Sequence, residues 1–227
     1  MWCPGLAALV TRLVTQRDLS GEGWAPWRPG SLALGYVLPL LYAGPVYLAV
    51  WASGLGGFDP AGWGGASPAS GLLRIATVGF LVSLLTATGE EIGWRGLFVP
   101  ELAKLTGFRN VVLMSGTIWA CWHLPIIFLG GYNSGTPFWF AIPCFFVMVV
   151  ALGAMAAWLR LRSGSLWPAA LFHASHNLFV QSVFDAATVD RGSTRWLTGE
   201  FGLGLAATGL LMGLWVLGRA RREKLAA

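Results

Sequence analysis

The stretch that decides the fold class is residues 138–159, which read FWFAIPCFFVMVVALGAMAAWL and include no charged residue. About 20 apolar residues in a helix span the hydrocarbon core of a bilayer, which is roughly 30 Å thick. In lipid every backbone polar group must be satisfied internally, so a single span of this kind is a helix rather than a strand. Arg160 and Arg162 follow at once, as is typical at a membrane surface. The stretch therefore predicts a transmembrane helix.

Five further apolar runs have the same character and place the whole chain in the bilayer. The chain is 56% hydrophobic and 11% charged, whereas a soluble domain carries about 25% charged residues. Charge this scarce cannot cover a globule in water. We predict an all-α, polytopic transmembrane bundle of about six spanning helices, in which the other five are residues 31–53, 71–88, 110–131, 166–184 and 201–218.

The ends of the chain differ from this middle part. Leu6, Val10 and Leu13 recur at helical spacing, with Arg12 and Arg17 placed to reach lipid headgroups, which predicts an N-terminal interfacial helix. We therefore divide the chain into an amphipathic segment (1–30), a transmembrane domain (31–218, with its motif core at 72–180) and a basic cytoplasmic tail (219–227). The Gly-, Pro- and Trp-rich residues 54–70 are predicted to form an external loop.

The distribution of the basic residues predicts the orientation. Twelve of the 15 lie before the first run or after the second, fourth and sixth; the exceptions are Arg74, Arg191 and Arg195. By the positive-inside rule, both termini of this multi-pass cell-membrane protein are cytoplasmic. The net charge of +5 follows this pattern, so it does not indicate a nucleic-acid partner. The three cysteines contain no CxxC pair and predict neither a disulfide framework nor a thiolate metal site.

Ionisable residues inside the apolar runs are the candidates for function, because a charge in the bilayer is costly. Glu90, Glu91 and Arg95 end the second run. On a helix Glu91 and Arg95 share a face and can form an ion pair, while Glu90 points about 100° away and is left free to handle a proton. If the segment is irregular, the roles of the two glutamates could exchange. The alternative is a solvated helix junction.

All three histidines of the chain lie within apolar runs. His123 is followed by Pro125, which should distort the helix there; a lone histidine in such a run is often only a packing residue. In the fifth run His173 and Asn177 are four apart and project together, and His176 is predicted at the edge of the same cavity or against a neighbouring helix. With the glutamates, these side chains provide a base, an acid and hydrogen-bond donors, as peptide or ester hydrolysis requires.

Three motifs in this order resemble those of the CPBP family, the CAAX proteases and bacteriocin-processing (Abi) proteins, which are intramembrane endopeptidases. They are Glu90-Glu91 with Arg95, Trp119 with His123, and His173 with Asn177. The sequence GSLWP at 164–168 also looks like that family. Family members often have an extra N-terminal span, so this chain is either a short version or begins inside a longer one. The resemblance covers about residues 72–180.

The resemblance implies a role for each of these residues. Glu90 is the general base that activates a water, and His123 helps to hold that water. His173 and Asn177 stabilise the oxyanion, while Glu91 and Arg95 support the helix. Trp119 stands where the family usually has phenylalanine, a departure that concerns packing more than chemistry. No metal is required as first choice, although zinc on Glu90, His123 and His173 is the alternative.

Two other functions remain open at this point. Buried Glu and His side chains also serve as proton relays in transporters, although no internal repeat is visible. A non-catalytic immunity or scaffold protein would keep the same residues for stability. The expected partners are a membrane peptide or protein substrate and the lipid bilayer, with the chain a monomer or a homodimer. The substrate itself cannot be read from the sequence.

Overall fold

The computed structural model describes residues 1–24 and 29–225, and almost all of its regular structure is helical. Eight helices are numbered here: α1 Cys3–Thr15, α2 Pro29–Ala52, α3 Pro68–Ala103, α4 Phe108–Leu129, α5 Phe138–Ser163, α6 at 167–185, α7 Thr194–Leu197 and α8 Leu203–Arg222. Two short strands, β1 Gly56–Phe58 and β2 Thr188–Asp190, pair antiparallel, and 3-10 turns lie at Ser20–Glu22 and Pro60–Trp63.

Three of the long helices are irregular. Two turns of α3, Ile75–Gly79 and Ile92–Phe98, are π-helical, and α6 changes from an α-helix at Trp167–His176 to a π-helix at Asn177–Asp185. In α4 the regular helix ends at His123 and restarts at Leu124, next to Pro125, as predicted for that proline. π-Turns within helices are frequent at functional sites.

Five helices are long and apolar enough to cross a membrane: α2, α3, α4, α5 and α8. The predicted all-α polytopic bundle is thereby confirmed. The remaining predicted span, residues 166–184, coincides with α6, which is helical throughout but is not among these five. The reason is its polar content, since His173, His176, Asn177 and Gln181 interrupt its apolar run.

Helix α5 is the centre of the bundle and packs against α4, α6 and α8. Its residues from Ala151 to Arg160 are all buried. Gly209 and Gly213 bring α8 close to Met148 and Ala151 of α5, and Gly153 of α5 meets Gly116 of α4. These small residues therefore serve close packing within one chain.

The helix of the second predicted span does not end with the apolar run near Thr88 but continues to Ala103. The polar residues that suggested an end are buried inside the protein: Glu90, Glu91 and Arg95 are 3%, 0% and 2% exposed. Neighbouring helices cover this turn, so the chain stays helical through a sequence too polar for lipid.

One of those neighbours is α1, which packs on α3. Gly5 allows the contact, since a Cβ at this position would lie 2.3 Å from the Gly89 carbonyl oxygen. The apolar face predicted from Leu6 and Val10 is present and exposed. The small residues of α1, Gly5 and Ala8, instead face the protein.

Arg12 is buried, so the prediction that it reaches headgroups is wrong. Its Nε donates to Glu22 Oε1 at 2.5 Å and its Nη2 to the carbonyl oxygen of Gly96 at 3.2 Å. Arg160 is likewise buried and donates to the carbonyl oxygen of Arg95. Arg12, Arg95 and Arg160 therefore stabilise the packing of the protein rather than contacting water. The predicted orientation must rest on the other basic residues assigned to the cytoplasmic side. Arg28, residues 25–27 and the last two residues of the basic tail lie outside the described residues.

A small cap lies at the end of the bundle where α2 and α6 end. The predicted loop at 54–70 contains β1 and a 3-10 turn, and β1 pairs with β2 after α6. The cap joins the ends of α2 and α6.

Candidate active site

Glu91 lies at the end of an α-helical turn of α3, and one of its oxygens has two partners. Arg95 Nη1 lies 2.7 Å and His173 Nδ1 2.9 Å from Glu91 Oε1. The predicted Glu91–Arg95 ion pair is therefore present, and all three side chains are buried. His173, from α6, is thus oriented by a carboxylate of α3.

Glu90 makes a separate set of contacts. Its Oε2 accepts a hydrogen bond from Trp119 Nε1 at 2.9 Å, and the Arg95 guanidinium lies over the Trp119 ring, 4.2 Å from its centroid. Trp119 thus does more than fill space, because a phenylalanine has no N–H to donate to Glu90. Within the described residues, Oε1 of Glu90 has no hydrogen-bond partner.

His123 occupies the interruption of α4. Its Nδ1 lies 2.8 Å from the carbonyl oxygen of Trp119. Because a carbonyl oxygen only accepts, Nδ1 carries the hydrogen, and the Nε2 of a neutral ring has a free lone pair. By the same reasoning, the carboxylate of Glu91 fixes the hydrogen on Nδ1 of His173. Both rings thus keep their Nε2 atoms for other partners.

A cavity of about 1030 Å³ brings the predicted residues together, since Glu90, His123, His173 and Asn177 all line it. The continuation of α3 to Ala103 explains how Glu90 and His123 lie at similar depths in the bundle. Counted from the connection between α3 and α4, Glu90 and His123 both lie roughly 20 Å along their helices at 1.5 Å per residue. A second span ending at Thr88 would have left Glu90 at the membrane surface.

The cavity has a second polar cluster, which the sequence did not reveal. His176 lies 2.5 Å from the Tyr42 hydroxyl through Nδ1 and 2.8 Å from Glu200 Oε1 through Nε2. The hydroxyl of Tyr132 and the amide of Gln181 also donate to Glu200. Glu200, Tyr132, Gln181 and His176 line the cavity, so His176 both borders it and contacts a neighbouring helix.

Glu200 lies in the connection before α8, where nothing in the sequence distinguishes it from a solvated loop residue. Its carboxyl is nearly buried, and burial alone would raise its pKa. Hydrogen bonds from His176, Tyr132 and Gln181 outweigh burial and lower the pKa of Glu200 to about 2. Desolvation and the charge of Glu200 raise the pKa of Tyr132 well above its usual value. Glu200 is thus an ionised group in the wall of the cavity.

The donors suggested for zinc do not fit a metal ion in this arrangement. Glu90, His123 and His173 line one cavity, but within residues 1–24 and 29–225 no three His, Cys, Asp or Glu side chains are arranged so that they could hold a metal ion. One oxygen of Glu90 is already held by the Trp119 N–H. We therefore derive no chemical step through a metal.

Comparison with known proteins finds a family that part of the chain resembles in sequence. Residues 72–179 match the family of type II CAAX prenyl endopeptidases, Rce1-like. These bounds enclose Glu90, His123, His173 and Asn177. The matched segment, just under half of the chain, is similar to the CAAX protease family. The resemblance drawn from three short motifs is thereby confirmed.

A curated relative supports the same assignment. The chain is 31% identical over 100 residues to CAAX prenyl protease 2 of Methanococcus maripaludis. That alignment covers 42% of this chain and 36% of the relative. The chain thus matches about a third of the relative's length.

Proposed function

We propose that this protein is an intramembrane endopeptidase that hydrolyses a peptide bond of a membrane-associated peptide or protein. The observation that carries the proposal is the convergence of Glu90, His123, His173 and Asn177 on one cavity within the bundle. The family of the matched segment and the membrane-spanning helices support it.

In the proposed reaction Glu90 is the general base. Its Oε2 is fixed by Trp119, and Oε1 is available to take a proton from a water. The lone pair on Nε2 of His123 accepts the other hydrogen of that water and orients it. The water oxygen attacks the carbonyl carbon of the scissile bond, and Glu90 then passes the proton to the departing nitrogen.

The oxyanion formed in this step is stabilised from α6. Asn177 contributes its amide N–H, and His173 contributes Nε2–H when its ring is charged. Glu91 at Nδ1 orients that ring and stabilises the charge it acquires, much as a buried carboxylate does for the histidine of a catalytic triad. Glu91 is already engaged by Arg95 and His173, which supports Glu90 rather than Glu91 as the base.

The first substrate to test is a prenylated CAAX peptide. This choice follows the activities of the matched family and relative, a CAAX prenyl endopeptidase and a CAAX prenyl protease. The cavity is suited to the prenyl group of such a peptide, because part of its wall is apolar. This part is formed by Ile75, Val78 and Val82 of α3 and Ile126 of α4. Val78 and Val82 are also exposed on the outside of the bundle, where lipid would lie.

We further propose that both termini are cytoplasmic, which leaves the Glu200 cluster at the outer end of the cavity. Arg17, Arg109, Arg221, Arg222 and Lys224 are exposed and would lie on the cytoplasmic side. Labelling of engineered single cysteines in intact cells with a membrane-impermeant reagent tests this. Labelling at position 222 from outside would contradict the proposed orientation.

Cleavage of a reporter by the purified protein in liposomes tests the activity. The Glu90→Gln variant should lose cleavage, since an amide cannot take the proton. The matched control is Glu101→Gln, a half-buried surface position on the same helix that does not line the cavity, which should cleave like the wild type. Full activity of Glu90→Gln would contradict the mechanism. We expect a zinc chelator to leave cleavage by the wild type unchanged. If the chelator abolished cleavage and added zinc restored it, zinc catalysis would again be the better explanation.

If neither the wild type nor the Glu101→Gln control cleaves any peptide of a panel, the transporter and the scaffold or immunity protein are the functions to test next. Uptake into proteoliposomes driven by a pH gradient would favour a transporter. A cellular phenotype that persists in the Glu90→Gln and His123→Ala variants would favour a scaffold or immunity protein.

A further inference from the structure

A basic pocket and an apolar groove adjoin each other on the flank of the bundle formed by α4, α5 and α8. The pocket has a volume of about 300 Å³ and the groove about 500 Å³. Arg109, Leu217 and Arg221 line both, so the two form one continuous surface. No residue of the candidate active site lines either of them.

The pocket carries three positive charges. Arg109 lies in the first turn of α4, Arg221 in the last turn of α8 and Lys224 just after it, and all three side chains are exposed. Among the described residues, no carboxylate lies within ion-pairing distance of any of them. The neighbouring carboxylate, Glu223, is engaged instead by Arg219 and Trp158. The pocket thus has uncompensated positive charge.

The groove has the opposite character. Apart from the two arginines at its end, its wall is apolar and includes Leu113 of α4, Val147 of α5 and Leu214 of α8. These three side chains are 38–54% exposed, so the groove is open along the side of the bundle. A volume of this size is within the range of small-molecule sites in proteins.

The geometry points to a binding site for one anionic phospholipid, with its phosphate on Arg109 and Arg221 and an acyl chain in the groove. Guanidinium groups form paired hydrogen bonds with phosphate oxygens. Basic pockets between transmembrane helices on the cytoplasmic side recognise anionic headgroups. Free phosphate would fill the pocket but leave the groove uncovered. A lipid alone matches both the charge of the pocket and the apolar wall beside it.

The test uses the full chain in a non-ionic detergent, titrated with phosphatidylglycerol or with phosphatidylcholine. Bound lipid is counted by native mass spectrometry, and thermal stability is measured in parallel. We expect phosphatidylglycerol to bind and stabilise the wild type more than phosphatidylcholine does, because a ligand of the native state raises its stability. Inorganic phosphate is the third arm and should stabilise the protein much less than the lipid.

Two kinds of variant assign the binding to this surface. Each of Arg109→Gln and Arg221→Gln should weaken phosphatidylglycerol binding about fivefold, the effect of one basic residue near an anionic surface. The matched control is Arg222→Gln, which removes the same charge at the end of α8 but lines neither pocket nor groove. Val147→Trp fills the groove and should displace the acyl chain while leaving the charges intact.

Three results would overturn the proposal. The first is phosphatidylglycerol binding that is equal in the wild type and the Arg109→Gln/Arg221→Gln double variant. The second is a phosphate effect as large as that of the lipid, which would indicate an anion site only. The third is loss of a dimer in Val147→Trp with unchanged lipid binding, which would assign the groove to a second copy of the chain.

Discussion

His173 Nδ1 and Glu91 Oε1 lie 2.9 Å apart and join α6 to α3 inside the bundle. The same oxygen accepts a hydrogen bond from Arg95 Nη1 at 2.7 Å. Two adjacent glutamates thereby have different surroundings: Glu91 has two strong partners, whereas Glu90 is held by one N–H and borders the cavity. Different environments for a pair of carboxylates are a common way to separate their roles.

The first prediction separates the two glutamates by stability. Glu91→Ala leaves the buried Arg95 without its carboxylate, and breaking such a pair costs about 3–5 kcal/mol. We expect a large fall in the unfolding temperature in detergent. Glu90→Gln should unfold near the wild-type temperature, since the amide oxygen can still accept from Trp119. Equal destabilisation of the two variants would show that the assignment of roles is wrong.

The second prediction concerns Trp119. Trp119→Phe keeps an aromatic ring beside Arg95 but removes the N–H that holds Glu90. A hydrogen bond to a charged group contributes about 1.5–3 kcal/mol, so kcat/KM for the reporter should fall about 10- to 100-fold. Trp139→Phe, at an exposed position of α5, is the control for the same substitution. Unchanged kcat/KM in Trp119→Phe would mean that this hydrogen bond does not position the base.

The third prediction concerns pH and Glu200. Because the pKa of Glu200 is lowered from 4.5 to about 2, its ionised form stabilises the fold fully above pH 4.5. That contribution is lost as the pH falls from 4.5 towards 2, and at 1.36 kcal/mol per unit it is roughly 3 kcal/mol at most.

Thermal unfolding in detergent across this pH range provides the measurement. Glu200→Gln should lose less stability on acidification than the wild type, because it has no proton to gain. Glu101→Gln, a half-buried surface carboxylate on α3, should follow the wild type. An identical acid response in Glu200→Gln and wild type would contradict the role given to this carboxylate.

The fourth prediction concerns α1. A side chain at Gly5 would collide with the Gly89 carbonyl, so Gly5→Leu should push α1 away from the turn of α3 that carries Glu90. We expect lower activity and faster proteolysis of the N-terminal segment. Leu6→Phe adds bulk on the exposed face of α1 and should change neither. Wild-type activity in Gly5→Leu would show that α1 does not support the site.

Local features of the chain could be predicted from its sequence, because each depends on residues nearby in the sequence. Apolar runs of spanning length predicted the helices, a spacing of four predicted the Glu91–Arg95 pair, and Pro125 predicted the interruption at His123. The extent of the family resemblance, about residues 72–180, agrees with the matched residues 72–179.

The sequence did not reveal features that depend on distant parts of the chain. The continuation of α3 past Glu90 and Arg95 depends on α1 and α6, which cover these polar residues. Arg12 was assigned to headgroups, yet its partners are Glu22 and the carbonyl of Gly96.

By itself, then, the sequence determined that this is a helical membrane protein with Glu90, His123, His173 and Asn177 as its candidate site. The tertiary structure alone decided which side chains of other helices and connections these groups contact. It placed His173 beside Glu91, Trp119 beside Glu90, and Glu200 beside His176. The physical reason is that a buried polar group must find a hydrogen-bond partner, and the packing of the helices determines which one lies within reach.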